Sequence, residues 1–442
     1  MEPLRDFAEF EKYLASFTNY ERQRRFRYGP EALPLGRMLG FAKDLGAPHR
    51  RYPAVHIAGT KGKGSTTLIL ERLLIEEGFR VGSYTSPHVD HLRERVQVDG
   101  EWVSEWEVVD MVNSILPVLE RRRRSPDGEF PTFFELMTGL AMLHFSRRSV
   151  DWGLFEVGLG GRLDATNILS PRVTAITNIA LEHTQVLGDT LEKIAREKAG
   201  VIKDGTPVVV GALASEALEP ITEVASQRGA PLVPCRSDGV RLSGPGLLEI
   251  DGFPGGFRAP AIRGPALRAN LALALEIERL VLEDAEREPS SAAVSRALFR
   301  LELPARVELF GGNPPVVLDG AHTAESVRAL GDTLAELDFP RPRTAVFSLA
   351  GDKRMDAVLE ELLSVADDFI FTRADAARSL PPDELRTRLG RGRVVEEPGR
   401  AVEEALEGCA AVVICGSIYL AGEVRGELMR RRVHGAPSTA KP

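Results

Sequence analysis

The stretch HIAGTKGKGSTTLILERLL, residues 56–74, places Gly59, Lys61, Gly62, Lys63, Gly64 and Ser65 within one short turn. An apolar run, Val55–Ala58, leads in, and a helical pattern follows from Thr66. Phosphate binding needs inward-facing backbone N–H groups, a helix N-terminus behind them and a cation that reaches over. All three are present. The glycines permit the turn, Lys63 is placed to reach β- and γ-phosphates, and the Ser65 hydroxyl stands where the helix starts. The usual G-x4-G-K-[ST] spacing fails, because Gly59 and Gly62 are too close and Gly64 follows Lys63. This is a phosphate loop of a variant kind.

Other residues have the chemistry to work with such a loop. Glu156 and His183 each close an apolar run, and open α/β sheets bind ligands at the carboxyl ends of their strands. A hard magnesium ion prefers oxygen, which suits the Glu156 carboxylate and the Ser86 hydroxyl, with His183 a less usual partner. The stretch GLGGRLDATN, 158–167, looks like a dinucleotide fingerprint but lacks the third glycine and the later acidic residue. Lys198, in REKAG, reads at first as a helix-end lysine that complements the dipole. Phe133 and Phe134, beside Glu135, read either as core or as an aromatic wall. No Ser/His/Asp order is apparent. Cys235, Cys409 and Cys415 form no CxxC pair and read as reduced thiols.

These residues need strands and helices to hold them. Short apolar runs alternate with amphipathic segments, which predicts α/β architecture with parallel sheets. Strands are expected at 54–58, 81–85, 152–157, 173–179 and 207–210, with helices over 66–77 and 191–199. The Gly- and Pro-rich stretch 235–261 predicts a small β excursion. A second α/β series has strands at 316–318, 344–348, 369–372 and 412–415. The expected division is a phosphate-loop domain over 1–298, a linker at 299–305 and a smaller domain over 306–442.

Composition narrows the class. The 442 residues are 43% hydrophobic and 27% charged, with a net charge of -8, which argues against a nucleic-acid or anionic-membrane partner. The start, MEPLRDFAEFEKYL, has no apolar run fit for a signal peptide, and the longest apolar stretch, 409–422, is too short for a bilayer. A cytoplasmic, monomeric enzyme is expected. The cluster Arg121–Arg124 reads as a solvated helix end.

GTKGKGS resembles the ATP-binding loop of the Mur ligase superfamily, and in particular that of the folylpolyglutamate synthase/dihydrofolate synthase family. The likeness extends through YTSPHVDHLRERVQVDG (84–100), PTFFELMTGLA (131–141), FEVGLGGRLDATN (155–167) and ITNIALEHTQVLGDTLEKIAREKAG (176–200). LPAR (303–306), LDGAHT (318–323) and CGSIYLAGEVR (415–425) follow in order. The resemblance implies a phosphate-loop ATPase domain and a Rossmann-like C-terminal domain, with ATP between them. It implies an ATP-dependent amide ligase that adds L-glutamate to folates, or to dihydropteroate, through an acyl phosphate.

The resemblance also assigns roles. Gly62, Lys63, Gly64, Ser65, Asn270, Arg306, Asp319, Gly320, Ala321 and His322 would contact ATP. Ser86, Glu156 and His183 would coordinate two magnesium ions, and Lys198 would carry a carbamate that organises them. Thr132, Phe133, Phe134, Glu135, Leu163, Asp164 and Ala165 would line the pteridine pocket, and a monovalent cation is a further candidate ligand. There are departures. Lys61 replaces an asparagine and adds positive charge by the loop, and Thr323 replaces an asparagine. Ala305 replaces a glycine, and Ala266 and Leu267 stand in place of a histidine–glutamine pair. Ala32 stands near an acidic position that dihydropteroate-using members have, with Glu31 beside it, and GDKRMD (351–356) is a loose D-K-D element. A peptidoglycan-type ligase would need a full domain ahead of Gly59, where only 58 residues stand. A nucleotide-switch protein would need a standard Walker loop.

Overall fold

The computed structural model describes residues 2–22, 29–125, 130–351, 354–376 and 378–435. Asp352 and Lys353 of the D-K-D-like element lie outside them. Two compact units emerge. The first gathers the described residues up to His88 with Leu92–Pro260 and Leu267–Leu301, and the second gathers Val89–His91, Ala261–Ala266 and the described residues from Glu302 onward.

The first unit holds an eight-stranded sheet formed by β1 (Ala54–Ala58), β2 (Val81–Tyr84), β3 (Val96–Val98), β4 (Glu101–Trp102), β5 (Trp152–Glu156), β6 (Val173–Ile176), β7 (Val208–Val210) and β8 (Leu232–Pro234). Their order is β4-β3-β2-β5-β1-β6-β7-β8. All neighbours run parallel except β3, antiparallel to both β2 and β4. Helices cover both faces of a parallel sheet, so its strands read as continuous apolar runs rather than alternating ones. Every residue of β1, β2, β5 and β6 is buried accordingly. Ile57 of β1 pairs with Glu156 of β5 and Ala175 of β6, so these strands end at one edge. The phosphate loop leaves β1 at that edge.

The expected excursion is a separate antiparallel sheet of β9 (Val240–Gly244), β10 (Leu247–Ile250) and β11 (Phe253–Arg258). The second unit has β12 (Glu308–Phe310), β13 (Val316–Leu318), β14 (Arg343–Phe347), β15 (Asp368–Phe371), β16 (Arg393–Val394) and β17 (Ala411–Cys415). They are ordered β12-β13-β17-β14-β15-β16, parallel except for β12.

Some details differ from expectation. Strand β6 stops at Ile176 instead of 179, because Thr177 and Asn178 turn aside to bond the phosphate loop. The helix Ser291–Arg300 occupies the first two positions of the expected linker, and the units part after Leu301. The cluster at 121–124 is not wholly solvated. Arg122 is buried, its Nε donates to Asp44 Oδ2 at 2.7 Å, and its guanidinium lies 5.9 Å from the Phe41 ring centre. One buried group was not anticipated at all. Glu278, on the helix Gly264–Asp284, is 0% exposed, and neither carboxyl oxygen has a hydrogen-bond partner among the described residues. Burial, and then the nearby Glu77, push it up to about 8.

Candidate functional site

The loop is held by close approach on both sides. Gly59 has φ +144, and a Cβ there would meet Thr177 Oγ1 at 1.8 Å. Gly62 caps the helix Lys63–Glu76 with φ +84, and a Cβ there would meet Asn270 Oδ1 at 2.3 Å. Only glycine suits either position. The backbone is then sewn to the segment after β6. Thr60 N donates to Asn178 O at 2.8 Å, Lys61 N donates to Asn178 Oδ1 at 2.6 Å, and Thr177 Oγ1 donates to Lys61 O at 2.5 Å. The result is a rigid turn facing a helix N-terminus, the arrangement that binds phosphate. Lys63 Nζ lies 3.4 Å from Thr60 O, folded back over the loop, and Ser65 is buried in the first helical turn. Lys61 does not add free positive charge. Its Nζ is 2.7 Å from Glu182 Oε1, and this pair joins the loop to the residue ahead of His183.

Glu156 reaches the same place. Its Oε2 accepts from Ser86 N at 2.9 Å and would lie 3.3 Å from a Cβ on Gly64. His183 opens the short helix Thr184–Leu187 with φ +52, in the left-handed region. Among the described residues, no three His, Cys, Asp or Glu side chains gather to hold a metal. A cation here would therefore draw on the Glu156 carboxylate, a hydroxyl and the phosphates of the nucleotide. That fits magnesium, which is bound by one or two carboxylates plus substrate phosphates.

Lys198 is buried in the last turn of the helix Leu191–Ala199, and its Nζ donates to Gly59 O at 2.8 Å. Burial first, and the Lys63 ammonium second, lower its amine from 10.5 to about 7. The plain helix-end reading, an exposed lysine answering the dipole, does not describe it.

A second group of side chains lies at the start of the helix Phe133–Arg147. Thr132 and Glu135 form a capping box, and Arg37 Nε contacts both Glu135 oxygens at 2.9 and 2.8 Å. Their polar atoms thus fix the helix and Arg37. Phe134 is half-buried and would be 2.5 Å from a Cβ on Gly158, which packs its ring against the turn that carries Leu163, Asp164 and Ala165. Phe133 faces the buried Arg95, whose guanidinium lies 5.1 Å from the ring centre. Asp164 is buried, which raises its carboxyl above the ordinary value. Ala32 is half-buried, while Glu31 is exposed.

In the second unit Asp319 organises a turn of its own. Its oxygens accept from Val307 N and Ala321 N, both at 2.7 Å, and burial raises its carboxyl despite Arg306 nearby. Gly320 N donates to Ala305 O at 2.9 Å, and Arg306 Nη1 would lie 3.0 Å from a Cβ on Gly320. His322 Nδ1 is 2.7 Å from Gly320 O. Ala305 (φ +53) and Val307 (φ +47) both take the left-handed region.

Sequence reasoning missed Thr177, Asn178 and Glu182 as supports of the loop. Short polar residues directly after an apolar run were the available signal. It also left Arg37 and Arg95 without partners, since their acidic and aromatic neighbours are distant in the chain.

A variant phosphate loop at the strand-end edge of a parallel sheet, followed by a second α/β unit, marks an ATP-dependent ligase of the Mur type. Residues 305–418 match the family model described as Mur ligase, glutamate ligase domain. The chain is 33% identical to the dihydrofolate synthase/folylpolyglutamate synthase of Bacillus subtilis, over 93% of this chain and 100% of that one. It is 31% identical to the Escherichia coli protein of the same name, over 86% and 87% of the two chains. Folylpolyglutamate synthase of Mycobacterium tuberculosis, solved with ADP, matches with a TM-score of 0.85 at 28% identity, covering 96% of this chain and 98% of that one. The bifunctional Yersinia pestis enzyme, complexed with AMPPNP and Mn ion, matches with a TM-score of 0.81 at 30% identity over 97% and 100%. The chain belongs to the dihydrofolate synthase/folylpolyglutamate synthase family.

Proposed function

We propose that this protein uses ATP to join L-glutamate in amide linkage to folates, and also to dihydropteroate. The observation that carries the reading is the loop itself. Gly62 heads the helix Lys63–Glu76 while Asn270 and the Glu156 carboxylate abut its glycines, in a chain that matches ligases of folates along nearly its whole length. A carboxylate is a poor acylating agent. Transfer of the γ-phosphoryl group of ATP onto it makes an acyl phosphate, and the amine of glutamate then displaces phosphate. The protein's share is positioning and charge stabilisation, since phosphoryl transfer needs little covalent help.

Backbone N–H groups of residues 62–65 and the Lys63 ammonium hold the phosphates. Glu156, the Ser86 hydroxyl and His183 are the residues that would hold magnesium, two ions by the family's pattern, and Lys198 as a carbamate would support them. Magnesium, when bound, offsets charge on the phosphates. A monovalent cation is a further ligand in this reading. Asn270, Arg306 and residues 319–322 complete the ATP contacts. Phe133, Phe134, Leu163, Asp164 and Ala165 form the pteridine wall, with Thr132 and Glu135 fixing the helix that bears it. We take the enzyme to be a cytoplasmic monomer that needs no nucleic acid or membrane. No described helix is long and apolar enough to cross a membrane.

Glutamate-dependent phosphate release, assayed separately with dihydropteroate and with tetrahydrofolate, tests the proposal. Release with either substrate supports it, and release with both supports the dual activity. No release with either, in the presence of ATP and magnesium, rejects it.

A further inference from the structure

The strand that enters the phosphate loop carries a histidine that the proposed function has not used. His56 sits in the middle of β1, 0% exposed, in register with Phe155 of β5 and Thr174 of β6. A polar ring in such a place costs stability unless it is hydrogen-bonded. Its Nε2 is 2.7 Å from Thr166 Oγ1, and the same hydroxyl is 2.5 Å from Asp164 Oδ1. Thr166 N also donates to Oδ1 at 3.0 Å, and Leu159 N donates to Oδ2 at 3.0 Å.

The network has one consistent proton arrangement with Asp164 ionised. A carboxylate only accepts, so the Thr166 hydroxyl gives its proton to Asp164 and keeps a lone pair for His56. The imidazole therefore carries its hydrogen on Nε2. Its Nδ1 has no partner among the described residues, which agrees with that tautomer. Burial, with a smaller contribution from Lys203, holds the ring far down at about 3, so it is a neutral donor at any working pH. The chain His56–Thr166–Asp164 runs from the central strand to the turn over which Phe134 packs.

The geometry points to His56 as a positioning residue that, through the Thr166 hydroxyl, fixes the Asp164 carboxylate for the pteridine end of the substrate. The inference rests on the proposed reading of Asp164 as part of the pteridine wall. Without the imidazole donor, the Thr166 hydroxyl is free to rotate away, and Asp164 loses its only side-chain partner among the hydrogen bonds described above. Sites that must recognise a flat ring edge depend on such supporting bonds to hold the contacting group in one orientation. His56 stands two residues before the last residue of β1, so the same strand that delivers the phosphate loop also steadies the pteridine wall.

The test is a split of kinetic constants. His56→Leu and Thr166→Val each break the chain, while His56→Gln and Thr166→Ser keep a donor or a hydroxyl. The KM for the pteridine substrate, dihydropteroate or tetrahydrofolate, should rise roughly five- to tenfold in the first pair, as loss of one supporting hydrogen bond implies. The KM for ATP should stay within about twofold, and the second pair should recover most of the loss. If His56→Leu does not fold, Thr166→Val, which keeps the shape, carries the same test. Asp164→Asn separates the two ideas. An unchanged pteridine KM in Asp164→Asn overturns the pocket reading and this inference together. A raised KM in Asp164→Asn beside parental values in His56→Leu and Thr166→Val overturns the positioning role alone. An equal rise in both substrates' KM, without rescue, also overturns it.

Discussion

The phosphate loop of the first unit and the turn at 305–307 in the second both bend the backbone sharply, but with opposite residues. In the first, glycine takes every strained or crowded position: Gly59 against Thr177 and Gly62 against Asn270. In the second, the left-handed positions belong to Ala305 and Val307, while a buried carboxylate, Asp319, captures two backbone N–H groups to hold the turn. A left-handed non-glycine residue costs about 1–2 kcal/mol, more awkwardly for a β-branched one. One turn is thus shaped by the absence of side chains, and the other by a side chain that compensates backbone strain. Glycine spacing announces the first kind in a sequence. The second kind is nearly silent.

The sharpest way to break this contrast is at Lys63, the loop lysine that is not paired with Glu182. Lys63→Ala should lower turnover roughly a thousandfold or more with the fold intact, because charge stabilisation carries most of a phosphoryl transfer. Near-parental turnover at saturating ATP would show that the loop's backbone alone suffices. Next in size is Lys198→Ala, expected to lose roughly a hundredfold, the scale of losing a group that supports a metal site. A short carboxylic acid in the buffer should restore part of the activity.

The buried amine also gives a pH signature. Carbamate formation needs the neutral amine, and burial and Lys63 bring Lys198 to about 7. At fixed CO2, the initial rate of recovery after mild acid treatment should fall roughly tenfold per pH unit below that value and level off above it. The sign for stability follows the same shift. The unmodified lysine has a lowered folded value, so the unfolded chain binds more protons between about 7 and 10.5, and stability rises with pH over that window. A recovery rate that keeps rising to pH 10 would mean that Lys198 is an ordinary exposed amine.

Glu156→Gln keeps the shape but removes the charge, and the magnesium concentration for half-maximal activity should rise roughly tenfold. An unchanged titration curve removes Glu156 from the metal site. The smallest effects test the comparison directly, by adding strain to one turn and relieving it in the other. Gly62→Ala places a Cβ on Asn270 and forces a left-handed alanine, so it should destabilise by about 2 kcal/mol and raise the KM for ATP. Ala305→Gly relieves strain but loosens the unfolded chain and removes a fully buried methyl, so the effects nearly cancel and Tm should stay within about 1 °C of the parent. A Tm lower by more than about 2 °C for Ala305→Gly would show that the turn is not strained at that residue.

What could be read in advance follows the same division. The parallel sheet was legible because its strands are buried on both faces, and the excursion at 240–258 was marked by glycine and proline. The helix Leu191–Ala199 has the bounds its periodicity predicts. The antiparallel β3 and β4 were not seen, since three- and two-residue strands leave no period to read. Within the site, Lys63, Glu156 and Gly62 could be named from motif and strand ends. The depth of Lys198 could not, because a lysine in a final helical turn is usually exposed. Lys61 was misread as spare charge because Glu182, its partner, is far along the chain.

Glu278 makes folding itself a proton-uptake reaction. Its carboxyl moves from 4.5 in the free residue to about 8 in the fold, so between those values the folded chain binds a proton that the unfolded chain has released. Stability therefore falls as pH rises through that interval and levels off above about 8. Glu278→Gln should remove this contribution, leaving a chain that gains most over its parent on the alkaline side and nothing near pH 4.5. A single buried carboxyl on the helix Gly264–Asp284 thus ties this enzyme's stability to proton supply, apart from the lysines of the phosphate loop.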